Sequence, residues 1–225
     1  MPLSTTALIA LLVIISLMLA TAVAWRAAHM RAPVDQVLTF GALILLPGFA
    51  MWASFTQHMA SSETTRFCLS CHVMHNYGKS LYINDPSFIP AKHFQNHWVP
   101  QNKACFTCHT DYTMFGDYRA KLRGLRHVYV EYFGKVPSPN KIKLYTPYNN
   151  RECLHCHAGA RNFEEAKGHH KKPGMMAAIQ ANRLSCLNSN CHEFIHDRTG
   201  IAQDPIWKGA AADAAANGLP KGVWK

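Results

Sequence analysis

Cys68-Leu69-Ser70-Cys71-His72, Cys105-Phe106-Thr107-Cys108-His109, Cys153-Leu154-His155-Cys156-His157 and Cys186-Leu187-Asn188-Ser189-Asn190-Cys191-His192 hold all eight cysteines of the chain, and a histidine follows each second cysteine at once. The first three repeats are C-x-x-C-H, the spacing at which c-type haem is attached. Two thiols add to the two vinyl groups of one porphyrin, and the next residue sets an imidazole beneath the iron. The fourth repeat widens the spacer and is read as a haem site of the same kind. Paired thiols can instead hold structural zinc or close as disulfides. Neither alternative asks for a histidine after every second cysteine. For the fourth pair, a disulfide between Cys186 and Cys191 stays open as the competing reading.

Four haems in the residues after Phe55 leave too little chain for an ordinary apolar core. The porphyrins must themselves be the core, wrapped in short helices and loops, which predicts an all-α, loop-rich multihaem cytochrome c domain with little or no sheet. Helices are expected over Leu122 to Tyr132 and Met175 to Leu184, the second opening after the Pro173-Gly174 break. Haems packed edge near edge relay electrons, and nothing else in this composition needs so many.

Upstream of the repeats the chain turns apolar. Thr5 to Trp25 carries no charge, nor does Val37 to Phe55, and each as a helix covers the roughly 30 Å of a bilayer core. Gly41, Pro47 and Gly48 in the second run are tolerated in transmembrane helices. Ala22-Val23-Ala24 resembles a cleavage site, but the residues before the first run lack the Lys or Arg of a signal peptide. Two transmembrane helices are therefore expected. Arg26 and Arg31 make the loop between them cytoplasmic, which sends both termini to the periplasm. The resulting division is a two-helix membrane anchor over 1–55, a periplasmic tetrahaem domain over 56–200 and a C-terminal tail over 201–225, whose role could be that of a peptide arm clasping a partner.

The chain has 23 basic and 13 acidic residues, a formal charge of +10. The propionates of four haems would cancel most of it, so no nucleic acid is expected as partner. Lys and Arg are read as pairing with propionates and lipid headgroups or steering an acidic partner. Of the fourteen histidines, His29 reads as a solvated loop residue, His58 as interfacial, and His75 and His155 as spacers. Met175 and Met176 read as core. Trp52, Phe55 and Trp98 fit an interfacial aromatic belt.

The residues now resemble the NapC/NirT/NrfH family of membrane-anchored tetrahaem quinol dehydrogenases, from the second apolar run to His196. Phe67-Cys68-Leu-Ser-Cys71-His72-Val-Met74 is similar to the family's F-C-x-x-C-H-x-M, Arg151-Glu152-Cys153 opens the third site, and Cys191-His192-Glu-Phe-Ile-His196 is similar to C-H-x-G-x-x-H. The resemblance implies that Met74 binds the first iron in place of His72, and that His109, His157 and His192 are the proximal ligands of the second, third and fourth haems. It further implies His93 as distal ligand of the fourth haem, His169 or His170 of the third, and Lys121 of the second, beside the quinol pocket. His196 completes the candidate ligands. Two departures stand out. Where an acidic residue is expected near the first haem the chain reads Gly124-Leu-Arg-His127, so His127 could be a sixth ligand there, and the family usually has one anchor helix rather than two.

The function expected is electron transfer between the quinol/quinone pool and a periplasmic redox protein or reductase, from the bacterial inner membrane, through four c-type haems. Lys121 and His127 are the candidate quinol residues. Two rivals remain: a haem relay inside a larger membrane respiratory or photosynthetic complex without a quinone site, and a quinone reductase running in reverse. The extra helix favours a subunit of a membrane complex. Intact-mass analysis should show four haem additions to the apoprotein; three additions with a Cys186–Cys191 disulfide would remove the widened site.

Overall fold

The computed structural model describes residues 5–26, 33–137, 142, 144–188, 190–192, 196, 201 and 203–216. The loop residues Arg31 and His29 and the side chains of Arg26 and His72 lie outside the described residues, as does the tail from 217 on. The chain divides into two compact units, Met1–Ser62 and Glu63–Lys225.

In the first unit, α1 (Thr5–Arg26) packs along α2 (Pro33–Ser62). The latter is 30 residues long and, by length and composition, apolar enough to cross a membrane. Within α1 the stretch Ala10–Trp25 is a shorter apolar helix. Pro47 has no N–H to return to the preceding turn, and α2 absorbs this with a wider turn over Gly41–Leu45, where the Leu46 N–H reaches the Gly41 carbonyl. Among the described residues of the unit Ser16, Ala42 and Ala50 are the buried ones, so small side chains mark the close approach, while Ile14, Leu17, Ile44 and Phe49 face outward.

The second unit is a set of short helices joined by loops: α3 (Thr65–Cys68), α4 (His75–Lys79), α5 (Ile89–Gln95), α6 (Ala104–His109), α7 (Gly116–Phe133), α8 (Arg151–His157), α9 (Arg161–Glu164), α10 (Met175–Gln180) and α11 (Ala210–Ala216). Among the described residues there is no sheet, only an isolated antiparallel bridge between Ile83 and Ile206. Each cysteine pair of the first three repeats begins or lies on a helix: α3 ends at Cys68, and α6 and α8 carry the second and third repeats whole. The helix expected from Leu122 in fact starts at Gly116, where a Cβ would meet the Asp111 carbonyl oxygen at 1.3 Å, so only glycine lets the helix start so close to that loop. The helix expected to reach Leu184 stops at Gln180, because Asn182 turns left-handed (φ 56°) and the N–H groups of Arg183 and Leu184 fold back onto the Ala178 carbonyl.

A small apolar cluster joins Leu69, Leu81, Tyr82, Phe94, Val99 and Ala104 to Ala210 and Ala214 of α11. Tyr82 and Phe94 meet edge to face at 4.9 Å. The segment leading to α11 is stitched to the loop after α4: Asn84 N–H donates to Pro205 O (2.8 Å) and Trp207 N–H to Tyr82 O (3.0 Å). Gln101 Nε2 then donates to Asp213 Oδ2 at 2.9 Å. Residues up to Ala216, whose role the sequence left unread, are thus part of the packed unit.

Candidate haem site

The four repeats lie side by side in chain order. The Cys68 and Cys105 thiols hydrogen-bond to each other, and so do those of Cys153 and Cys186, while Cys108 lies within electrostatic reach of Cys156. In each hydrogen-bonded pair the thiol that donates is held up and its partner down, and burial pushes Cys108 up as well.

Histidines from different parts of the chain meet in three pairs. His93 and His157 have ring centres 5.9 Å apart, His109 and His196 6.1 Å, and His169 and His192 6.3 Å. An ion held by imidazole nitrogen at about 2 Å on each side sets the two ring centres roughly 6 Å apart. In every pair one member is the histidine of a cysteine repeat.

The other member is oriented from behind. His93 Nδ1 meets the Ile89 carbonyl at 2.9 Å, and His169 Nδ1 meets the Phe163 carbonyl at 2.9 Å. His196 Nδ1 lies 2.7 Å from Ser80 Oγ, whose own hydroxyl is donated to Tyr77 O, so the serine accepts from the imidazole. An Nδ1–H spent on an oxygen fixes the tautomer that leaves a lone pair on Nε2, the form that binds a metal. Burial also lowers the pKa of His109, His157 and His192, and pushes His196 down to about 3. These imidazoles stay neutral at physiological pH. Donor set and spacing fit c-type haem iron between each pair.

The ring contacts set His93 against His157, with His192 also within electrostatic reach, and His169 against His192, with His157 also within reach, whereas the resemblance implies the exchanged pairing. His170 spends its Nε2 on the Glu164 carbonyl at 2.7 Å, which separates it from its neighbour His169. The partner of His109 is His196, whereas Lys121 lays its ammonium over the Phe106 ring at 4.3 Å, near the Cys68 thiol. Met74, half-buried, packs on the apolar cluster. His127 approaches the Tyr145 hydroxyl at 3.3 Å and lies within electrostatic reach of His109. Burial lowers the pKa of both Lys121 and His127.

Several supporting residues carry no motif. Asn150, fully buried, donates from Nδ2 to the carbonyls of Ile179 (2.8 Å) and Leu184 (2.6 Å) and accepts from the Cys186 N–H (2.8 Å), tying the third repeat to the fourth. Arg151 pairs with the buried Asp111 at 2.7 Å, which joins the second repeat to the third. His155, expected as a spacer, stacks on Tyr112 at 3.8 Å. Tyr148 donates to the Cys108 carbonyl and sets its ring against His109. Trp98 meets the His93 ring edge to face at 5.5 Å. A lone Asn before a repeat gives no pattern to read; only the Arg151-Glu152-Cys153 sequence pointed near this junction.

Residues 30–200 match the NapC/NirT cytochrome c family, N-terminal region. The cytochrome c-type protein NapC of Escherichia coli strain K12 is 26% identical over 147 residues, 56% of this chain and 66% of the relative, so the match spans just under two thirds of that protein. NapC of Paracoccus pantotrophus is 22% identical over 205 residues, 79% of this chain and 81% of the relative. The denitrification system component NirT of Stutzerimonas stutzeri is 22% identical over 183 residues, 75% and 86% of the two chains. No solved structure matches.

Asn150→Ala should cost roughly 2–4 kcal/mol, since it strands the Leu184 carbonyl and the Cys186 N–H and removes one of the donors to the Ile179 carbonyl. Denaturant midpoints of the detergent-solubilised protein measure this, and a change under about 0.5 kcal/mol would show that the junction bears no load.

Proposed function

The chain belongs to the NapC/NirT cytochrome c family, and from that premise we propose that it is an inner-membrane tetrahaem cytochrome passing electrons from quinol to a periplasmic redox partner. The coarser part of this reading, a membrane-anchored c-type redox protein with a periplasmic domain, follows from family membership together with the membrane-length helix Pro33–Ser62. A second span through α1, a count of four haems and the quinol substrate are our additions.

The observation that carries the reading is the set of three imidazole pairs at 5.9, 6.1 and 6.3 Å, each with one ring locked through Nδ1. His157 and His93 would hold the third haem, His109 and His196 the second, His192 and His169 the fourth, with thioethers from Cys105, Cys108, Cys153, Cys156, Cys186 and Cys191. Cys68 and Cys71 would hold the first, and Met74 is its proposed ligand, with His72 the alternative. Bound haem supplies one-electron chemistry at iron, tuned by axial ligand and burial. The adjacency of the repeats in chain order supports a single conducting series from the first site to the fourth.

Quinol oxidation also releases protons, which the protein has to accept. Lys121 sits beside the first and second cysteine pairs, and burial favours its neutral amine. His127 is likewise held toward its neutral form. A lowered pKa leaves the base unprotonated over a wider range of pH, so both can take a proton from a hydroquinone.

Two outcomes test the proposal. The planes of the His93–His157 and His169–His192 pairs cross at 73° and 76°, whereas those of His109–His196 differ by 15°. Electron paramagnetic resonance of the oxidised protein should therefore show two highly anisotropic low-spin signals and one ordinary rhombic signal, all three retained in Met74→Leu while the remaining haem changes. Three signals of one kind would refute the pairing. In proteoliposomes loaded with a quinol, haem reduction should be fast and Lys121→Met should slow it by about 10²-fold. No reduction by quinol, with dithionite reduction intact, would favour the relay reading.

A further inference from the structure

Helix α7 is exposed on most of its sides, and one of its exposed faces is apolar. Tyr118, Leu122, Leu125, Tyr129, Tyr132 and Phe133 are all exposed, Leu122 at 66% and Phe133 at 79%. At about 100° per residue these six fall within one arc of about 100°. Ala120, Gly124 and His127 lie on the opposite side of the helix, and His127 is in electrostatic reach of His109. The paired imidazoles therefore belong to the far side of the helix from the stripe. Isolated exposed leucines mean nothing, but a contiguous apolar stripe of this length on a folded domain marks an interaction surface.

Three of the four Lys and Arg residues of the helix lie at the margins of the stripe. Arg119 and Arg126, both exposed, border the stripe along one margin, Arg126 with its guanidinium 4.3 Å from the Tyr145 ring centre, Lys121 lies at the other margin, and Arg123 points away from the stripe. The two carboxylates of the helix, Asp117 and Glu131, are well away from it, with Asp117 accepting from the Thr110 hydroxyl at 2.7 Å. Aromatic and leucine side chains on one face with cations along its border are the composition of a helix lying in a membrane interface. The long Arg119 side chain can reach phosphate groups while the apolar stripe sits among acyl chains.

We propose that α7 lies in the membrane–water interface, its Tyr118–Phe133 stripe inserted among lipid tails and Arg119 at the phospholipid phosphates. This rests on the membrane-anchored reading, because the anchor brings the domain to the bilayer. The helix also carries Lys121 at the margin of the stripe, so its docking would bring this proposed proton acceptor toward the depth at which a quinol ring resides.

The holoprotein in phospholipid nanodiscs tests this with single introduced cysteines carrying a nitroxide: Leu125→Cys and Tyr129→Cys on the stripe, Glu131→Cys on the opposite face, and Leu45→Cys in α2 as reference. Label incorporation into the unsubstituted protein gives the background, and a retained haem spectrum shows that each variant is folded. Collisional relaxation by oxygen, which enters lipid, is compared with that by a water-soluble nickel chelate. We expect an oxygen-to-nickel ratio several-fold higher at Leu125 and Tyr129 than at Glu131. A ratio at the stripe equal to that at Glu131 places it in water and overturns the proposal. Low accessibility to both reagents means that a porphyrin or a protein, a second copy or a redox partner, covers the stripe, and also overturns it. If the Leu45 label itself reads as water-exposed, the anchored reading falls, whereas a lipid-exposed Leu45 with a wet stripe sinks this inference alone.

Discussion

About 6 Å between two imidazole centres, with each ring correctly turned, is the constraint on which the second unit depends. Apart from α7, its helices are too short to stabilise themselves. They are instead assigned to hold rings: α6 and α8 carry His109 and His157, the α5 turn carries His93, and the turn after α9 carries His169. The backbone carbonyls of Ile89 and Phe163, and the Ser80 hydroxyl, then decide which nitrogen of each distal ring keeps its lone pair. A buried imidazole whose N–H is already satisfied avoids the cost of an unpaired polar group, so the same bonds that orient the rings also make their burial tolerable.

The cysteine repeats were legible because covalent attachment demands residues adjacent in sequence. The all-α character followed from the crowding those repeats impose, and the structure is sheet-free among its described residues apart from one bridge. Distal pairing was not legible. It depends on which loop crosses which repeat, and nothing local distinguishes a partner of His157 from a partner of His192. The choice between His169 and His170 illustrates why: the two are neighbours in one turn, and only the carbonyls of Phe163 and Glu164 separate their roles.

Residues without a motif were missed for the same reason. Asn150 works through three long-range bonds, and no window of sequence contains both ends of any of them. Helix boundaries failed at special backbone positions: Gly116 pressed on Asp111 and Asn182 with a positive φ each moved an end by several residues. The apolar stripe of α7 was visible as a helix but invisible as a surface, since a period alone does not say which face a domain will cover.

The return of α11 to the first cluster sets an order of events. Ala210 and Ala214 pack with Leu69, Tyr82 and Phe94, and Trp207 is bonded to Tyr82, so the cluster lacks a wall until the last described helix has been delivered. All eight cysteines precede that helix in the chain. A polypeptide crossing the membrane amino end first would therefore expose each thiol pair in turn before the domain could shut, leaving time for its prosthetic groups to be attached. The last described helix can complete the cluster only after the last repeat has emerged.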